Sequence, residues 1–302
     1  MPLNSESKSL WIAIGKEISV ASRKLFEISR AQSVSGGCIN DAYFVQNNQG
    51  ERYFVKTNQA EKLTMFEAEV AGLIEIARTH TVRVPQPICS GKFENTAFVV
   101  TEYIEMVAGN ASSHRKMGTK IANMHMVTQA EFGWRIDNTI GDTPQPNGLM
   151  NNWIDFWREH RLGFQLNLAL KNSIAKEVVR KGEKLMVDLA AFFPEEMPRP
   201  ALLYGDLWGG NWMMDSQGEP VVFDPAVYYG DREADIAMTE LFGGFSPDFY
   251  AAYNAVFPLD AGYKTRKTLY NLYHVLNHFN LFSGGYAAQA ERMIDTLLAE
   301  IH

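Results

Sequence analysis

A glycine-framed run, Gly205-Asp206-Leu207-Trp208-Gly209-Gly210-Asn211, constrains this chain more than any other feature. It sets a carboxylate and a carboxamide five positions apart in a turn-forming loop, close enough for both side chains to enter one cleft. Thirteen residues beyond Asn211, Asp224 closes the apolar run Val221-Val222-Phe223 and precedes Pro225. Residues 211–214 and 220–224 read as short β segments, and Asp215-Ser216-Gln217-Gly218 between them as a turn. A hairpin thus returns Asp224 towards the loop that holds Asp206 and Asn211. Oxygen-bearing side chains gathered in this way suit a hard divalent cation and a proton acceptor.

The rest of the pattern divides the chain into unequal parts. Residues 8–30 follow a helical period through Leu10, Ile14, Ile18, Leu25 and Ile28. A turn-rich stretch over 33–40 contains Gly36 and Gly37, then 42–45 and 52–56 read as strands around the turn 47–50. A helix is expected over 61–78, with Leu63, Phe66, Val70, Leu73, Ile74 and Ala77 on its buried face. Pro85 and Pro87 stop further helix, and 97–104 reads as a buried strand with a polar end. Beyond about residue 105 the pattern is mostly helical, over 112–128, 150–170, 172–193, 233–242, 247–255, 265–282 and 286–301. Residues 137–149 read as a long polar loop. The expected class is α+β and bilobal, a small β-rich N-lobe over 1–104 and a larger, mostly helical C-lobe over 105–302.

Charge and cysteine content narrow the function classes. A net charge of −7 argues against nucleic acid as a partner. Two cysteines, Cys38 and Cys89, make no disulfide framework and suit a reducing cytoplasm. No secretory leader pattern opens the chain, and no apolar run reaches the length of a membrane span.

Asp206-Leu207-x-x-x-Asn211 matches the second half of the kinase catalytic loop, H-R-D-L-x-x-x-N. In such a loop the aspartate accepts the proton of the substrate hydroxyl and the asparagine holds Mg²⁺ beside ATP. Asp224 occupies the place of the second metal ligand. Tyr53-Phe54-Val55-Lys56 resembles the strand V-A-I-K, whose lysine neutralises the ATP phosphates, and Glu69 rather than Glu67 is expected to pair with it. Gly36 and Gly37 would cover the phosphates through backbone N–H groups, although the run is neither G-x-G-x-x-G nor a Walker motif. Backbone groups of Glu102, Tyr103 and Ile104 would meet adenine. His125, in a helical pattern, reads as a packed structural histidine. Cys38, in the glycine stretch, is a candidate reactive thiol.

With these marks the chain resembles the fructosamine (ketoamine) kinases, relatives of the aminoglycoside and choline kinases, from about residue 15 to 300. The specific motifs are 205–211, Phe223-Asp224-Pro225-Ala226, Tyr229-Gly230-Asp231-Arg232-Glu233-Ala234-Asp235, Asp137-Asn138 with Ile140-Gly141 and 143–147, and Arg161-Leu162 with Gln165-Leu166. The resemblance implies a protein-kinase-like fold and phosphorylation of a sugar hydroxyl on a small-molecule or protein-linked ketoamine. The adduct then sheds its sugar and frees the amine. ATP and Mg²⁺ are the implied cofactors, and a monomer is expected. Trp208 would stack on the sugar. Asp231 and Arg232 would either line the acceptor pocket or form an ion pair bracing the loop. Two departures stand out: Tyr204 replaces the family's usual histidine, and Asp224-Pro225-Ala226 lacks the protein-kinase Phe-Gly. Another hydroxylated amine as acceptor, and a catalytically silent nucleotide-binding module, are the alternatives.

Overall fold

The computed structural model describes residues 5–34, 39–193 and 197–301. Gly36, Gly37 and Cys38 lie outside the described residues. Five strands, β1 (Arg30–Val34), β2 (Asp41–Gln46), β3 (Arg52–Gln59), β4 (Pro87–Phe93) and β5 (Thr96–Glu102), form an antiparallel sheet in the order β1-β2-β3-β5-β4. Alternation along β5 explains how it is covered on both sides. Phe98 and Val100 pack with Val45, Val55 and the α1 (Ser5–Ser22) residues Trp11, Ile14 and Ile18. Ala97 and Val99 face the other way, onto Met65 and Phe66 of α2 (Leu63–Ala77).

This lobe departs from expectation in one element and adds another. The first helix ends at Ser22, eight residues short of the expected 30, because Arg23 adopts a left-handed φ of 57° and Leu25 points to solvent. The chain then enters β1, a mostly exposed edge strand that follows no apolar alternation. Strand β4 was also not expected. It begins at Pro87 on the opposite edge, where a missing N–H does the least harm.

The larger lobe runs through β6 (Met106–Val107) and α3 (Ala111–His125), which Asn110 and Ser113 cap reciprocally. Next come a hairpin of β7 (Asn138–Ile140) and β8 (Thr143–Gln145), then α4 (Trp153–Phe156), π-helical turns over 157–163, α5 (Phe164–Lys171) and α6 (Lys176–Val187). Short strands β9 (Ala201–Leu203), β10 (Trp212–Asp215), β11 (Pro220–Val222) and β12 (Tyr228–Gly230) carry the central loops. Helices α7 (Glu233–Leu241), α8 (Pro247–Val256), α9 (Tyr263–Phe282) and α10 (Tyr286–Ile301) complete the lobe. One large apolar cluster joins α3, α4, α7, α9 and α10 and reaches Leu73 and Ile76 of α2, so the helix bearing Glu69 is rooted in both lobes.

The expected polar loop over 137–149 contains the β7–β8 hairpin, and buried amides hold it in place. Asn138 Nδ2 donates to the Val227 carbonyl at 2.8 Å and Gln145 Nε2 to that of Ala226 at 3.1 Å. Arg161, stacked 4.0 Å from the Tyr228 ring centroid, donates to Asn147 Oδ1 at 2.8 Å. Among the described residues no helix is long and apolar enough to cross a membrane.

Candidate active site

Lys56 reaches the cleft by strand alternation. Its neighbour Val55 packs under α1, so Lys56 faces α2, where Nζ donates to Glu69 Oε1 at 2.7 Å. Glu67, the other glutamate of the helix start, is exposed. Lys56 also pairs with Asp224 from the larger lobe. Burial would lower the Lys56 ammonium, but Asp224 and Glu69 outweigh it and the group is held well above its ordinary range.

The catalytic-loop candidate and the Asp224 turn are fastened backbone to backbone. Ala226 N donates to the Tyr204 carbonyl at 2.9 Å and Phe223 N to that of Asn211 at 3.1 Å. Gly205, at φ 88°, lies so close that a Cβ there would meet the Ala226 carbonyl at 2.0 Å, so no side chain fits. Asp224 itself holds φ 64°, and its side chain stays 47% exposed. Asn211 Nδ2 donates to both the carbonyl and Oδ2 of Asp206, each at 3.0 Å. Burial pushes the Asp206 carboxyl up to about 7; the Asn211 amide opposes this, and Asp224 and Asp235 add to it.

Asp235 is the positioning residue that sequence reasoning did not single out. Near the start of α7, its Oδ2 accepts from Tyr204 N at 2.6 Å and its Oδ1 from Gly205 N at 2.8 Å. His125 Nε2 lies 3.1 Å from Oδ2, and His125 Nδ1 lies 2.8 Å from the Tyr253 hydroxyl, so this histidine is packed and hydrogen-bonded as its helix pattern implies. Asp235 closes the acidic run 231–235, and that crowding of carboxylates at a helix start was the available signal. Tyr204 is buried, and burial together with the surrounding carboxylates keeps its phenol protonated. The hydroxyl donates to the Phe223 carbonyl, tying the 204–211 loop to the residue before Asp224.

A fructosamine kinase family pattern matches residues 10–300. The chain belongs to the fructosamine kinase family. It is 47% identical over 303 residues to a probable ketoamine kinase of Synechocystis, covering 99% of each chain. It is 42% identical to a chloroplastic protein-ribulosamine 3-kinase of Arabidopsis thaliana over 278 residues, 91% of this chain and 84% of the other. Among solved structures, a candidate fructosamine-3-kinase from Haemophilus somnus superposes with a TM-score of 0.88 at 27% identity, over 96% of this chain and 99% of that one. Choline kinase LicA from Streptococcus pneumoniae shares the fold, with a TM-score of 0.58 at 15% identity over 95% and 98% of the chains. The fold is thus the bilobal, protein-kinase-like one expected from sequence.

The fructosamine kinase motif over 229–235 needs a correction. Asp231 and Arg232 are buried and form neither an acceptor wall nor an ion pair with each other. Asp231 accepts from the Tyr270 hydroxyl, and from Glu233 N at 3.0 Å. Arg232 donates to the Phe257 carbonyl at 3.0 Å and stacks 3.7 Å from the Phe257 ring centroid. Both brace α7 against its neighbours. Glu102 is also more occupied than expected. Its N–H donates to the Gln86 carbonyl at 2.8 Å and its carboxylate pairs with Arg83 at 2.7 Å. Tyr103 packs edge-on to Phe44, and Ile104 follows it half-buried. Trp208 is 39% exposed beside Asp206.

Proposed function

We propose that this family member transfers the γ-phosphoryl group of ATP to a sugar hydroxyl of a small-molecule or protein-linked ketoamine, with Asp206 as the catalytic base. The observation that carries the reading is the meeting of Lys56, Glu69, Asp224, Asp206 and Asn211 in one cleft. They come from two lobes, in a chain akin over its whole length to proteins named as ketoamine kinases.

Each residue has a defined task. Lys56, oriented by Glu69, offsets phosphate charge. Gly36 and Gly37 are proposed to cover the phosphates. Adenine recognition falls to the Glu102 carbonyl and the backbone of Tyr103 and Ile104, since the Glu102 N–H is already engaged. The donor set fits a hard divalent cation such as Mg²⁺. Asn211 spends its N–H group on Asp206, which leaves its Oδ1 free for a cation, and the exposed Asp224 carboxylate already attracts a positive charge. Among the described residues no group of three His, Cys, Asp or Glu side chains could hold a metal alone, so phosphate and water would complete the shell. When bound, the ion offsets charge on the β- and γ-phosphates. Asp206, held near neutrality, orients the acceptor hydroxyl and takes its proton. Trp208 offers a flat apolar face to the sugar ring. A monomer working in the cytoplasm completes the proposal, and an unpaired Cys89 suits a reducing compartment.

ATP consumption with Nε-fructosyl-lysine, Nε-ribulosyl-lysine and an aminoglycoside tests this directly. Turnover with either ketoamine and none with the aminoglycoside is expected. Turnover with the aminoglycoside alone, or with nothing, overturns the proposal.

A further inference from the structure

The exposed aromatic side chains near the cleft form a row. Trp208 is 39% exposed, Phe242 40% and Phe282 55%. The Trp208 ring lies folded on Gly210, where a Cβ would meet its ring carbons at 2.2–2.6 Å. One face of the indole therefore rests on bare backbone. The next residue, Gly209, touches Gly244; a Cβ on Gly209 would lie 2.8 Å from the Gly244 Cα. That contact brings the end of α7, with Phe242, alongside the Trp208 loop. Phe242 then packs on His278 of α9 at 4.6 Å between ring centroids, and His278 on Phe282 at 5.7 Å.

One end of the row adjoins the proposed reaction centre: the Trp208 N–H donates to the Asp206 carbonyl at 3.1 Å. Trp208 is two residues from Asp206. At the other end, Leu281 contacts Gly141 at the tip of the β7–β8 hairpin, where a built Cβ would lie 3.1 Å from Leu281 Cδ1 and 3.2 Å from Ile39 Cδ1. Ile39 follows the glycine stretch directly. The row thus leads outward from the loop that carries Asp206 and Trp208. Exposed aromatic surface that continues out of a reaction site marks a place for ligand.

We propose that Phe242, His278 and Phe282 extend the acceptor site outward from Trp208 and bind the alkyl stem on the amine side of a carrier-linked ketoamine. The inference rests on the ketoamine kinase reading above. The chemistry matches in three parts: sugar C–H faces stack on indole, a secondary ammonium is stabilised by aromatic faces, and a lysine-like methylene stem buries against phenyl rings. Burial lowers His278, so at neutral pH it does not repel the ammonium. The row makes these residues specificity determinants. They contact the carrier and not the transferring phosphoryl group.

The test compares two acceptors, Nε-fructosyl-lysine and the fructose adduct of methylamine, which has no stem. With Phe242→Ala and Phe282→Ala, KM for the lysine adduct should rise about five- to twenty-fold while kcat stays within about two-fold. KM for the methylamine adduct and for ATP should stay within about two-fold, since neither ligand reaches the outer row. Thermal midpoints of both variants should stay close to wild type, because both rings are already partly in water. An equal rise for both acceptors, or no rise for either, overturns the inference. If wild-type protein phosphorylates neither adduct, the ketoamine reading falls and this inference with it. If wild type phosphorylates both and the variants match it, only this inference falls.

Discussion

Two acidic, glycine-bearing segments lie within thirty residues of each other, and the structure uses them in opposite ways. The 204–211 loop with Asp224 faces the cleft, while the 229–235 segment lies in the core. In the core segment, the carboxylates of Asp231, Glu233 and Asp235 each have at least two protein donors within reach. In the cleft, Asp206 is met by Asn211 and Asp224 by Lys56, and the Asp224 side chain remains 47% exposed. Composition does not distinguish them. What does is whether the fold uses up the carboxylate or leaves capacity for a ligand. A buried polar group must be satisfied internally, whereas a reactive group must keep an unfilled valence towards the substrate.

The largest expected effect belongs to the cleft side. Asp206→Asn keeps the shape and the Asn211 contact but removes the proton acceptor, so kcat should fall by about three orders of magnitude or more. ATP affinity measured by calorimetry should be unchanged. Wild-type turnover in this variant would remove Asp206 from the role of base.

On the core side, Asp235→Ala leaves the N–H groups of Tyr204 and Gly205, and His125, without their acceptor. A loss of about 3 kcal/mol in unfolding free energy is expected from denaturant titration, accompanied by loss of activity. Activity lost at full stability would turn the brace into a direct participant and erase the contrast drawn above.

Tyr204 joins the two sides, and its variant should show an intermediate effect. Tyr204→Phe deletes only the donor to the Phe223 carbonyl. Stability should fall by about 1 kcal/mol. The KM for Mg·ATP should rise by several-fold, because Asp224 loses the tether of the peptide before it, while the acceptor KM stays constant. An unchanged Mg·ATP dependence would make Tyr204 a packing residue only.

The last effect is a pH slope. Burial first, and then Glu233, push the Asp231 carboxyl up to about 7, against an ordinary value of 3.8. Its folded pKa is raised, so its stability contribution is full below about pH 3.8 and is lost as pH rises towards 7. Asp231→Asn should flatten the dependence of Tm on pH across that window. An equally steep slope in the variant would assign the linkage to another group.

The sequence made the cleft legible because its chemistry requires fixed residue types at fixed spacings. Lys56, Glu69 and Asp224 could be named without knowing how they met. The elements that escaped were those whose stability does not come from apolar periodicity. Strand β1 is an exposed edge, and β4 opens on a proline that hid it. The hairpin over 138–145 is anchored by buried carboxamides, which read as loop composition until Val227, Ala226 and Arg161 are seen to hold them. Asp231 and Arg232 stay undecided in the sequence, between pocket wall and brace, for the converse reason. Their conspicuous polarity serves internal partners, and no pattern in one chain tells an internal partner from a substrate.

The grip of Asp235 on two consecutive amides has a consequence for how this enzyme fails on heating. Helix α7 packs against α9 in the main apolar cluster, so the 204–211 loop cannot loosen while that cluster stays intact. Loss of activity and global melting should therefore form one cooperative transition, with no warmed state that is folded but silent.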